Sequence, residues 1–230
     1  MSWKTFRRRG ARKAGHPGLA DVPINRLRIR RLPHPIPICR YDIPMQPDMI
    51  VAAITKALRG IAQYLDIMEQ LPTVNVADDK AFQRRFNAFY RIRQRPAAWY
   101  QTYYACMQEC RTIRPAPTFD DVLDHLGRSL GRYEPSFASK LIATLEPAQP
   151  IWDAFVLANT GVKRPSYASK TKVPQAKLAY RGIQDWYARF LASHDGRLVI
   201  RIFNDTVEGH GRISELKKVD FVLWQTRGPA

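Results

Sequence analysis

Between Asp48 and Leu71 the chain reads "DMIVAAITKALRGIAQYLDIMEQL", and Ile50, Ile54, Leu58, Ile61, Leu65 and Met68 return at steps of three and four residues. Only an α-helix lines such positions up on one stripe, and a stripe this long must be covered by other apolar elements. Asp48 stands where a carboxylate can cap the helix start. The covering elements read as helices too. "DDKAFQRRFNAFYRIR" sets Phe82, Phe86, Phe89 and Tyr90 on one face and Arg84, Arg85, Arg91 and Arg93 largely elsewhere, and Pro96 suits the first turn of "PAAWYQTYYACMQECR". Further helices are expected at 119–126, 136–145, 151–159, 178–193 and 213–224. Only "RLVIRIF", residues 197–203, alternates like a strand, and one strand makes no sheet. The expected fold is mainly α, a multi-helix globular domain over residues 47–230.

Residues 1–46 differ in kind. Residues 1–40 hold eleven Lys/Arg against the single acid Asp21, while the whole chain holds 37 against 20, a formal charge of +17. Five prolines, Pro17, Pro23, Pro33, Pro35 and Pro37, remove backbone donors and disfavour helix before them, which predicts an extended basic arm. Within it "INRLRIRRL" offers Arg28 and Arg30 to phosphates. Such a charge excess favours a polyanionic partner, nucleic acid first and an anionic membrane surface second. No run has the length of a spanning helix, and no apolar segment follows the arginine-rich start as in a secretory signal. The reading is a cytoplasmic monomer that binds DNA and no membrane.

Several chemistries have no sequence support. The chain has no GxxxxGK[ST] loop, no GxGxxG, no HExxH and no GxSxG, and Cys39, Cys106 and Cys110 form no CxxC pair. The five histidines are scattered, and nothing has zinc-ligand spacing. No metal and no cofactor is assigned.

The informative segment is "TFDDVLDHLGRSLGRYEPSFASKLIATLEPAQPIWDAFVLANTG", residues 118–161. A helix-like run is followed by a glycine-bearing connection, a helix with a lysine in its first turns, a proline-bounded turn, and an aspartate opening another helix. This order resembles the helix-hairpin-helix DNA glycosylase superfamily, the endonuclease III and 8-oxoguanine glycosylase group, whose LPGVGxKTA hairpin precedes a VD motif. Pro135, Phe137 and Lys140 align with the family's proline, apolar residue and lyase lysine, and Asp153 in "PIWD" aligns with the catalytic aspartate. Ser136 and Ala138 replace the family's glycines, the lysine-to-aspartate separation is shorter than usual in the family, and no four-cysteine cluster loop follows.

The resemblance implies an enzyme that flips a damaged or modified base out of DNA and cleaves its N-glycosidic bond, in repair or in defence against phage. Base departure builds positive charge on the sugar, which a carboxylate such as Asp153 can stabilise, while an unprotonated Lys140 amine could attack C1′. Arg84, Arg85, Arg91, Arg93, Arg132, Ser136 and Ser139 are expected at the DNA backbone, and Phe86, Asn87, Tyr90 and Trp152 around the flipped base. "ISELKKVDFVLW", with Lys217, Lys218 and Asp220, reads as a docking helix outside the site. The alternative is a non-enzymatic nucleic-acid-binding helical protein, for which charge and aromatic residues suffice.

The charge distribution sets a binding expectation. Affinity for DNA should fall steeply between about 50 and 200 mM salt, and removing residues 1–31 should lower the affinity and flatten that slope. A slope unchanged by the deletion, measured by salt titration, means that the arm does not touch the backbone.

Overall fold

Pro47 fixes the start of the first helix, because Gln46 before it is extended and a proline at the first helical position lacks only an N–H that has no partner there anyway. The computed structural model describes residues 45–226, so all but the last two residues of the proposed arm, Arg28 and Arg30 included, lie outside the described residues. Helix α1 (Pro47–Gln70) buries Ile50, Ala53, Ile54, Ala57, Ile61, Tyr64 and Ile67. Two details differ from expectation. Leu58 is 46% exposed, since alanines and Tyr64 carry the buried stripe that periodicity alone had given to larger aliphatics. Asp48 lies within the first turn, where it favours the helix dipole, and makes no cap hydrogen bond.

The architecture is mainly α, with nine α-helices and one 3₁₀ turn among the described residues and no strand. Asp79 caps α2 (Lys80–Phe89) by accepting from the Phe82 N–H at 2.8 Å, and Pro96 immediately precedes α3 (Ala97–Thr112). Helix α4 (Phe119–Leu130) starts on a reciprocal capping box between Thr118 and Asp121 and stops at Gly131, whose φ of 62° is left-handed. After the short connection 131–134 comes α5 (Pro135–Leu145), then α6 (Ala154–Thr160), α7 (Lys172–Ala192), α8 (His194–Thr206) and α9 (Glu215–Gln225). Helix α7 begins earlier than expected because Pro174 falls in the first turn, where its missing N–H costs nothing.

The segment expected to alternate as a strand, 197–203, lies inside α8. Gly196, Val199 and Phe203 form its buried face at helical spacing, and Ser193 caps it by accepting from the Gly196 N–H at 3.1 Å. Its alternation satisfies a helix equally well, and no partner strand exists among the described residues to hold it extended.

Helices α1, α2, α8 and α9 pack about one another, and α3, α4 and α5 form a second group. Helices α6 and α7 join them, both touching α9, with α7 also reaching α4. Helix α9 is the most enclosed: every residue from Leu216 to Leu223 is buried, two lysines and an aspartate among them.

The α7 to α8 junction is tight enough to specify its residue. A Cβ on Gly196 would overlap the Phe190 carbonyl, whereas one on Gly182 would meet the Val162 side chain at an ordinary 3.5 Å. Gly196→Ala should therefore lose about 2 kcal/mol or more, and Gly182→Ala, in a helix interior, should be neutral or gain up to about 1 kcal/mol. Urea unfolding of the two variants checks this; similar midpoints would contradict the packing described for the junction.

Candidate functional site

Lys140 lies in the second turn of α5, beyond the 131–134 connection, and its Nζ donates to the Ser136 hydroxyl at 2.8 Å and stands 5.1 Å from the centre of the Phe137 ring. Burial pushes its pKa down to about 8 from 10.5; the charges of Asp153 and Glu134 oppose the shift, and Arg95 adds to it. About a tenth of the amine is then neutral at pH 7, a far larger share than an unperturbed lysine holds.

Asp153 is the N-cap of α6. Its Oδ1 accepts from the Val156 N–H at 2.8 Å and its Oδ2 from the Trp224 indole N–H at 2.7 Å. Burial raises its pKa, as does the charge of Asp220, while the two hydrogen bonds and Lys140 hold it down. Two of roughly four acceptor positions on the carboxylate are used, so the group is oriented with capacity left over. The turn that delivers it is pinned at both ends: the Trp152 N–H donates to the Ser139 hydroxyl at 2.8 Å, and the Tyr180 hydroxyl donates to the Pro150 carbonyl at 2.8 Å. Lysine and aspartate, thirteen residues apart in sequence, are thereby within electrostatic reach of each other.

Behind Asp153 lies a buried ionic centre. On α9, Lys217 and Asp220 pair at 2.6 Å, both almost fully enclosed; the Lys217 ammonium stands 5.5, 5.6 and 5.0 Å from the rings of Tyr64, Phe89 and Phe221. Tyr187 donates to the second Asp220 oxygen at 3.1 Å. The Tyr64 hydroxyl is buried with no hydrogen-bond partner among the described residues, and burial lifts its pKa to about 12 against the pull of Lys217. Trp224, one turn beyond Asp220, completes the same face of the helix. The sequence reading left these residues out of the site. The available signal was three charged residues, Lys217, Lys218 and Asp220, in a helix with no other polar face.

The loop between α2 and α3 covers the site with cations. The Arg91 guanidinium lies 5.2 Å over Trp224, and that of Arg95 lies 4.8 Å from the Phe137 ring and pairs with buried Glu134 at 3.6 Å. Arg91 ends α2 in a Schellman motif, with Ile92 N–H bonded to the Asn87 carbonyl and Arg91 N–H to that of Ala88. Its φ is 53°, and Gln94 follows at 56°. Two side-chain-bearing residues in the left-handed region cost roughly 1–2 kcal/mol each. Arg95 was also absent from the sequence reading.

Other expected contacts sit elsewhere. Phe86 and Trp152 are 0% and 2% exposed and supply core area instead of base-pocket walls: Phe86 packs its ring on four others, and Trp152 stacks over Phe119. Tyr90 is buried, with its hydroxyl 3.0 Å from that of Thr144, and Asn87 accepts from the Tyr104 hydroxyl at 2.9 Å, tying α2 to α3. Ser139 is fully buried and holds the Asp153 turn, so it is not a phosphate contact, and the Ser136 hydroxyl is engaged by Lys140. Arg84 and Arg93 are exposed, Arg85 pairs with Asp66 at 3.2 Å, and Arg132 pairs with Glu134 at 3.3 Å. Comparison of the chain with protein-family models, curated proteins and solved structures finds no match.

The lysine's surroundings fix two pH effects. Between about pH 8 and 10.5 the unfolded chain holds a proton on Lys140 that the folded chain has released, so this group makes the fold more stable as pH rises through that window. Acetylation of Lys140 by acetic anhydride, followed by peptide mass spectrometry, should show a midpoint near pH 8. Asp153→Asn removes a charge that favours the ammonium and should move the midpoint lower; an unmoved or higher midpoint would mean that the two groups do not interact.

Proposed function

We propose that this chain is a DNA N-glycosylase that excises a damaged or modified base, a divergent relative of the helix-hairpin-helix glycosylases. The observation that carries the reading is an amine with a depressed pKa within electrostatic reach of an oriented, buried carboxylate, on the two segments that resemble the family's hairpin and catalytic motif. As the C1′–N bond breaks, its electron pair leaves with the base, which takes up a proton. Asp153 faces the positive charge growing on the sugar and can accept a proton from the attacking water. The neutral fraction of Lys140 is an alternative nucleophile at C1′, which leads to a Schiff base and strand cleavage. Arg91, over the Trp224 ring that binds Asp153, and Arg95, over the Phe137 ring beside Lys140, suit flanking phosphates.

A second reading rests on one specific observation: Asp153 caps α6 and binds Trp224, which is sufficient structural reason for an aspartate there. On that reading the chain binds nucleic acid without chemistry.

One pair of variants separates the readings. A panel of DNAs, including phage DNA with modified pyrimidines, is scored for released bases and abasic sites. Asp153→Asn should lower excision from the responsive DNA by about a hundredfold or more while binding persists. Asparagine caps helices well but offers a single acceptor oxygen to two donors, so a thermal melt must accompany the assay. Borohydride should trap a protein–DNA adduct that Lys140→Gln abolishes if the amine is the nucleophile. Full activity in folded Asp153→Asn would mean that Asp153 is not the catalytic carboxylate, and no base released from any DNA would favour the binding protein.

A further inference from the structure

From Ala154 to Gln184, thirty-one residues, the chain has no aspartate or glutamate and six Lys/Arg. The stretch holds the exposed loop between α6 and α7, and that loop flanks a cleft of about 380 Å³ whose walls include Gly131, Arg132 and Tyr133 of the α4–α5 connection, Arg128 of α4, and Lys172 at the start of α7. Its one carboxylate wall, Asp124, is neutralised by Lys177 at 2.7 Å.

Aromatic surface accompanies the charge. Tyr167, in the loop, is 56% exposed and meets Tyr133 edge-on, their ring centres 5.4 Å apart. Arg164 lies 5.5 Å from the Tyr167 ring, and Lys172 lies 5.8 Å from that of Tyr133 while donating to the Tyr167 carbonyl at 2.8 Å. The cationic groups thus hold the exposed ring beside the cleft. Among the described residues the Tyr133 hydroxyl has no hydrogen-bond partner, and burial raises its pKa to about 12, so it remains a donor. An exposed ring framed by cations suits an unpaired base with phosphates on either side, because stacking needs a base face that a duplex keeps hidden.

We infer that this cleft binds single-stranded nucleic acid, with Tyr167 stacked on a base and Lys172 and Arg132 on flanking phosphates. The inference rests on the nucleic-acid reading and not on the catalytic one. Glu134 links the two places: Arg132, in the cleft wall, and Arg95, beside Lys140, pair with the same carboxylate. A strand entering the cleft therefore approaches the Lys140 site along the α4–α5 connection.

The test uses the full chain and a thymine-rich single-stranded oligonucleotide carrying 5-iodouracil, which crosslinks under ultraviolet light to an aromatic ring stacked on it. Adducts should map to Tyr167 or Tyr133. Tyr167→Ala should weaken single-strand binding about tenfold, Tyr167→Phe should retain it, and Lys172→Gln should reduce the salt slope by about one. Adducts confined to other residues, or unchanged affinity in Tyr167→Ala, overturn the inference. A loss in Lys172→Glu without one in Tyr167→Ala also overturns it, because it leaves a phosphate contact with no base stacked in the cleft. Crosslinking at Tyr167 without base excision by the wild type would sink the glycosylase reading alone, and excision without such crosslinking would sink the cleft alone.

Discussion

Lys217 and Asp220 meet inside the protein at 2.6 Å, on the helix against which α1, α6, α7 and α8 all pack. Removing one charge of a buried pair strands the other at a cost of roughly 3–5 kcal/mol, so neither residue is dispensable alone. The pair is stabilised beyond its own attraction: three aromatic rings face the ammonium, and Tyr187 binds the second carboxylate oxygen. Its negative member reaches outward as well. Asp220 helps to raise the pKa of Asp153, while Trp224 on the same helix face holds one Asp153 oxygen in place. One helix thus sets both the charge environment and the orientation of the candidate carboxylate.

The helices themselves were legible wherever apolar spacing was unambiguous, as at Ile50, Ile54 and Ile61, but their starts were not: Asp153, expected inside a helix over 151–159, caps one that begins at Ala154. Helices were also less legible where two periodicities coincide. Val199 and Phe203 fit a strand face or a helix face, and only the availability of partners decides between them. That Lys140 and Asp153 come within electrostatic reach of each other follows from local order along the chain, because both sit on one short supersecondary unit. Trp224, Asp220 and Arg95 were not legible, since each reaches the site from a distant segment by tertiary packing that no local pattern encodes. The aromatic run at Phe86 to Tyr104 shows the opposite limit. Its rings answer the demand of the core for buried area, and sequence spacing alone cannot tell a core ring from a binding ring.

The loop between α2 and α3 retains a conformational cost that glycine would remove. Arg91 and Gln94 both hold positive φ, yet Arg91 places a guanidinium over the indole that binds Asp153. The charge at that point is kept at the expense of backbone ease, a pattern typical of residues retained for what they contact. By contrast, Gly131 and Gly161 follow the ordinary rule, ending α4 and α6 in the left-handed conformation.

Helix α9 comes late in the chain, and this orders events during synthesis. When Lys140 and Asp153 have both emerged from the ribosome, the residues that clamp one and tune it, Asp220 and Trp224, are still some seventy positions away. The nascent protein can build the α4–α5 unit from local contacts, but the surroundings of Asp153 stay unfinished until α9 docks. A chain interrupted before residue 215 would carry Lys140 and Asp153 without the indole that binds one Asp153 oxygen and without the Asp220 charge behind it.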